Sequence, residues 1–211
     1  PSAFASEQFR HFIGRNPSPL ELAATMVTLG TPGVTPSSWM TDLAARPSRG
    51  ARKQVIRLYF AYFRRSPDHG GLVYWTTRIA AGTKTINDVS NSFASSSEFR
   101  NTYGSLSNVE FVSLVYQNVL DRDPEPGGFA FWTGQLDKKT ITRGRLMTQF
   151  SESNEFKNAS KGRVTAVDVW DAIRAATIPS SRLAPYAGHV QYGGSAGDLA
   201  TLIIREFGPD A

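Results

Sequence analysis

Apolar residues recur along this chain at intervals of three and four, the period of one face of an α-helix. Val55, Leu58, Tyr59, Tyr62 and Phe63 make one such stripe, and Phe111, Leu114, Val115, Val119 and Leu120 make a second. Leu72, Trp75 and Ile79 share a face, as do Phe129, Trp132 and Leu136, so burial of both indoles is the first expectation. Tyr74 and Phe131 stand one residue away, about 100° around the same helices. No run alternates in the manner of a strand. The pattern predicts an all-α fold.

The stripes repeat. Residues 55–101 set over 112–158, a shift of 57 without a gap, are identical at 15 of 47 positions. The identities include Tyr59/Tyr116, Arg65/Arg122, both Gly-Gly pairs (70–71 and 127–128), Trp75/Trp132, Phe93/Phe150 and Glu98/Glu155. Weaker copies flank this pair. Gly14-Arg15-Asn16-Pro17 echoes the Arg-x-Pro turn, and Glu206-Phe207 echoes Glu98-Phe99. Tandem helical repeats follow, about four units of three to four helices spanning 4–49, 50–104, 105–161 and 162–211, the outer two degenerate.

Local signals place the helices. Ser107-Asn108-Val109-Glu110 is a capping box. Asn16-Pro17, Ser66-Pro67 and Asp123-Pro124 read as N-cap and first residue of the second helix in each unit, which puts Asp68 and Glu125 in its first turn. Gly30 and Gly82 read as its stop. Thr35-Pro36, Thr85 and Thr142 open a third helix running to about Ala45, Ala94 and Phe150. A Ser/Glu-Phe segment closes the unit.

Glycine in a helical first turn costs up to about 1 kcal/mol relative to alanine, so the Gly-Gly pairs need a compensating reason. One is close approach of the preceding helix to a surface without Cβ atoms; the other is a bare helix N-terminus that receives an anion. The Trp residues likewise admit burial, or a stacking surface in which Tyr74 and Phe131 are the exposed partners. Arg65 with Glu98 and Arg122 with Glu155 read as ion pairs closing each unit. Pairing across units (Arg15–Glu98, Arg65–Glu155, Arg122–Glu206) is the alternative, and within units Glu206 has no matching Arg. Asp121, Asp123 and Glu125 alternate as calcium ligands do, but Pro124 and Pro126 interrupt them and the counterpart Arg64, Ser66 and Asp68 lacks the first two acids, so no metal is expected.

Composition narrows the chemistry. At 211 residues and 23.1 kDa the chain has no Cys and three His, which removes thiolate zinc sites, disulfides and cysteine nucleophiles. No apolar run approaches the roughly 20 residues of a membrane span. A net charge of +5 invites a nucleic-acid partner, and Arg46, Arg49, Arg52, Lys53 and Arg57 could form one basic face. Elsewhere the charges are interleaved, which argues against that partner. The chain opens at Pro1 without leader features, as a processed chain or a piece of a larger one would. There is no G-x-S-x-G, H-E-x-x-H, P-loop or G-x-G-x-x-G, and a single active site does not leave its signature twice. No catalytic residue and no cofactor is expected, although an accessory role beside an enzyme stays open.

The run Arg122-Asp123-Pro124-Glu125-Pro126-Gly127-Gly128-Phe129-Ala130-Phe131-Trp132, with Ser153-Asn154-Glu155-Phe156 downstream, resembles a bacterial family of domains without assigned function. It is also similar to the linker domains of phycobilisomes. Arg65 to Trp75 is the second copy, with Ser66 for the first Asp. The first unit has Leu20, Glu21 and Thr25 where the Gly-Gly and Trp would stand. The resemblance implies a small helical module, frequent in exported or cell-surface bacterial proteins as an accessory part. The expectation is therefore a non-catalytic, extracellular or cell-surface binding module for a glycan or envelope component, using Tyr74, Phe131, Trp75 and Trp132. The alternative is a protein–protein assembly module built on apolar helix faces.

Overall fold

A computed structural model describes residues 2–13, 16–35, 39 and 50–207, which contain twelve α-helices and no strand. They are α1 (Ser2–Ile13), α2 (Pro19–Leu29), α3 (Gly50–Phe63), α4 (His69–Ala80), α5 (Ile86–Ala94), α6 (Ser97–Tyr103), α7 (Asn108–Val115), α8 (Pro126–Asp137), α9 (Arg143–Ser151), α10 (Asn154–Arg174), α11 (Ser180–Gln191) and α12 (Ala196–Phe207). The 57-residue offset holds helix by helix: α4 maps onto α8, α5 onto α9, and the start of α6 onto the start of α10. The expected third helix of the first unit, with Arg15, Arg46 and Arg49, falls outside the described residues apart from Thr35 and Trp39.

Caps fix most boundaries. Thr85, Thr142, Ser96, Ser153 and Ser107 each accept a backbone N–H from three residues on, Thr85 and Ser107 as full capping boxes. The second helices begin two residues later than the Asn/Ser/Asp-Pro rule placed them. Their N-caps are Ser18, Asp68 and Glu125, and Pro19 and Pro126 take the first helical turn. Asp68 wins over Ser66 because its carboxylate reaches the Gly71 N–H at 2.6 Å.

One boundary dissolves. Gly104, at φ 73°, ends α6, whereas Lys161 at the equivalent position does not stop α10. Helix α10 thus serves both as the closing segment of the third unit and as the first helix of the fourth. The fourth unit follows at an offset of 54 residues. Arg64, Asp121 and Ala175 leave their first helices through the same left-handed conformation, none of them glycine. Before Asp121 the chain makes one π turn, Tyr116–Leu120.

The units close on one another. Helix α10 touches α1, α3, the π turn, α9, α11 and α12, so first helices from all four units meet near it. Equivalent helices α5 and α9 lie against each other, and a Cβ on Gly144 would stand 2.5 Å from the Asn91 backbone nitrogen. The Ser90 hydroxyl donates to the Gly144 carbonyl at 2.8 Å, with Tyr62 2.9 Å behind it.

The expected basic face is not formed by the described arginines. Arg52 is 2% exposed and donates to Asp168 (2.7 Å) and to Asp171, which are themselves buried. His69 meets Asp171 at 2.7 Å. Arg57 forks onto Glu152 with two bonds of 2.8 Å. Buried cations persist only when paired, and both pair with acids more than 90 residues away in the chain.

Candidate functional site

Each middle unit builds the same corner where its second helix starts. A Cβ on Gly71 would lie 2.4 Å from the Tyr59 hydroxyl, and one on Gly128 would lie 2.4 Å from that of Tyr116. The second glycine of each pair is therefore required by a tyrosine on the preceding helix. Gly127 has no such neighbour. Burial, and then the Asp68 carboxylate, push the Tyr59 phenol up to about 12. Tyr116 is raised for the same reasons, with Glu125 in place of Asp68.

Trp75 and Trp132 are partly buried, edge-on to Phe93 (5.7 Å) and Phe150 (5.6 Å), with their indoles in reach of the Tyr59 and Tyr116 hydroxyls. Tyr74 and Phe131 stand outside them, T-shaped against the indoles at 4.8 Å in both copies. Tyr74 is 47% exposed and Phe131 54%. The two differ in cover: the Arg78 guanidinium lies 3.4 Å over the Tyr74 ring, while the residue equivalent to Arg78 is Gln135, which bonds Thr140 instead. Phe131 is the barer ring.

The ion pairs also differ between copies. Arg65 grips Glu98 with two bonds of 2.7 and 2.9 Å. Arg122 stands 3.8 Å from Glu155 and bonds Glu125 at 2.6 Å. Glu125 in turn accepts from the Tyr116 hydroxyl at 3.1 Å, and Arg122 holds its carboxyl below the usual range. In the fourth unit Glu206, expected to lack a partner, pairs with Arg182 and accepts from Tyr186 at 2.7 Å. There the aromatic positions are exchanged: Trp170 replaces the corner tyrosine and Tyr186 the tryptophan, their rings 6.0 Å apart. Without a tyrosine hydroxyl aimed at it, the glycine position becomes Arg182. The 54-residue offset, which sets Trp170 on Tyr116 and Tyr186 on Trp132, was the signal that could have found this aromatic exchange.

Chemically these corners offer exposed aromatic area framed by guanidinium and carboxylate groups. No three His, Asp or Glu side chains converge in a metal-holding group among the described residues. None of their helices is long and apolar enough to cross a membrane. No curated protein and no solved structure matches the chain. A family model does, twice, over residues 50–98 and 90–160, which are the two units just described and together more than half the chain. The chain belongs to the family described as Domain of unknown function (DUF4214).

Proposed function

We propose that this protein is a non-catalytic binding module of an exported or cell-surface bacterial protein, and that it recognises a glycan or envelope component through the Tyr74–Trp75 and Phe131–Trp132 pairs. The observation that carries the reading is the duplicated exposure of an aromatic ring whose partner is anchored in the core. A ring held edge-on against a partly buried indole has lost its freedom before any ligand arrives, so stacking on the apolar face of a sugar costs little further ordering. Polysaccharide pull-down and glycan-array binding test it. Phe131→Ala should weaken capture more than Tyr74→Ala, because Arg78 already covers one face of Tyr74, and the double variant should abolish it. Undiminished binding by the double variant refutes the reading.

A second reading, a protein–protein assembly module of the kind the phycobilisome linker resemblance implies, draws on α2. Leu20 (80% exposed) and Val27 (73%) lie two turns apart on one face of that helix, with exposed Ala23 and Ala24 between them. Association that rises with concentration and is lost in Leu20→Lys/Val27→Lys would favour it.

A further inference from the structure

Two clefts of about 360 and 370 Å³ lie on either side of one ridge of α10, and neither is lined by the aromatic pairs. The first, between α10 and α11, presents Lys161, Arg163, Asn158 and Gln191. The second, between α3, the π turn and α10, presents Arg64, Arg163, Gln117 and Asn118, with Asp121 and Glu155. They share Arg163 and Ala159, and the exposed, small Ala159 forms the saddle between them.

What sets this region apart is that its cations line clefts. Several arginines elsewhere are committed: Arg52 and Arg57 to buried acids, Arg65, Arg122 and Arg182 to glutamates, Arg143 to Asn108. Arg145 and Arg205 are exposed and line neither cleft. Arg64, Lys161 and Arg163 form no side-chain hydrogen bond or ion pair with any described residue. Arg163 lies 5.0 Å over the Phe60 ring, and burial, followed by the charge of Arg64, holds its protonation below the ordinary arginine value. Two guanidiniums lining one cleft, neither bonded to the Asp121 or Glu155 carboxylate beside them, suit an arriving anion.

We propose that the two clefts form one groove for a linear acidic glycan, a carboxylate-bearing sugar ring in each, with Arg163 between them. This deepens the glycan reading above and rests on it, but uses a separate surface. Each cleft sits at the small end of ligand sites, which span about 300–1,000 Å³, and so suits a single ring. The amide oxygens of Gln117 and Asn118, each of which gives one N–H, to Asp123 and to Tyr103, accept ring hydroxyls, as do Asp121 and Glu155. Those two carboxylates oppose the dense charge of a nucleic-acid backbone, and neither cleft has an exposed aromatic residue on which a base could stack. Phe60, the ring within the second cleft, is buried.

Calorimetric titration of the whole chain with oligogalacturonate, its methyl ester and single-stranded oligothymidylate tests the assignment. The acid form should bind, and the ester, which loses the carboxylate in each cleft, should bind about a hundredfold more weakly, the worth of two charge-assisted hydrogen bonds. Arg163→Gln and Arg64→Gln should each lose about tenfold, the worth of one, with thermal melts confirming that both variants fold. Tyr74→Ala/Phe131→Ala should leave this titration unchanged, which separates failure of the groove from failure of the aromatic pairs. Absence of saturable oligogalacturonate binding, full affinity in Arg163→Gln, or tighter binding of the oligonucleotide overturns the proposal.

Discussion

The second and third units are the same object inside and different objects outside. Their corners superimpose in sequence and in contact: tyrosine against glycine, indole against phenylalanine, a threonine cap opening the next helix. At positions facing away from the corner the correspondence fails. Buried Arg52 of the second unit stands where the third has exposed Val109, and Arg57 where the third has Leu114. Repetition has preserved what a unit needs in order to fold; the divergent positions are those through which α3 reaches other units, Arg52 to Asp168 and Asp171 on α10 and Arg57 to Glu152 at the end of α9. The difference separates two kinds of stabilisation, one local and copied, the other long-range and found once.

The strongest way to break the comparison is at Arg52. Arg52→Met removes the cation from two buried carboxylates, and breaking such a pair from one side costs about 3–5 kcal/mol. Chemical denaturation should show that loss, while Val109→Arg at the equivalent surface position should change stability by less than about 0.5 kcal/mol. A near-neutral Arg52→Met would mean that the ionic cluster contributes nothing to joining the second unit to the fourth.

A smaller effect probes the copied corner. Gly71→Ala and Gly128→Ala each place a methyl group against a tyrosine hydroxyl, an overpacking worth about 1–3 kcal/mol. Removing the hydroxyl should rescue them. In Tyr59→Phe/Gly71→Ala the hydroxyl clash is gone, with Asp68 Oδ2 left 3.0 Å away, and alanine adds its helical preference, up to about 1 kcal/mol. Rescue should be less complete for Tyr116→Phe/Gly128→Ala, because the new methyl also stands 2.5 Å from Glu125 Oε1 and the lost Tyr116 hydroxyl had donated to Glu125. Gly127→Ala, with open space around it, should stabilise. Denaturant midpoints of the five variants check the whole set, and destabilisation that persists in the tyrosine-to-phenylalanine doubles would show that something else demands the glycine.

What could be read from the sequence follows the same division. The helices, their caps and the internal frame were legible because they occur twice, and each copy corroborates the other. The Arg52–Asp168–Asp171 cluster was not, since its members lie 116 and 119 residues apart and recur nowhere. The continuity of α10 left a trace, lysine where the previous unit has its stopping glycine, but capping preferences alone do not say whether a helix runs on into the next unit. The clefts flanking Arg163 had no sequence signal at all: Arg64, Lys161 and Arg163 come together only because α3 and the π turn dock on one helix.

The smallest expected effect is also the sharpest test of how the copies diverged. At the N-cap of α8 the third unit has Glu125 where the second has Asp68, one methylene longer. Asp68 folds back onto the Gly71 N–H, whereas Glu125 makes no side-chain cap bond and reaches outward to Tyr116 and Arg122. That reach draws Arg122 away from Glu155, leaving 3.8 Å where Arg65 and Glu98 make two short bonds. Glu125→Asp should therefore do two things. It should stabilise the chain by about 0.5–1 kcal/mol through the restored cap. It should also release Arg122 for Glu155, so that a double-mutant cycle on that pair rises from nothing measurable to the Arg65–Glu98 level, about 0.2–1 kcal/mol for an exposed pair. If the coupling does not move, the two arginines differ for a reason other than the length of the capping side chain.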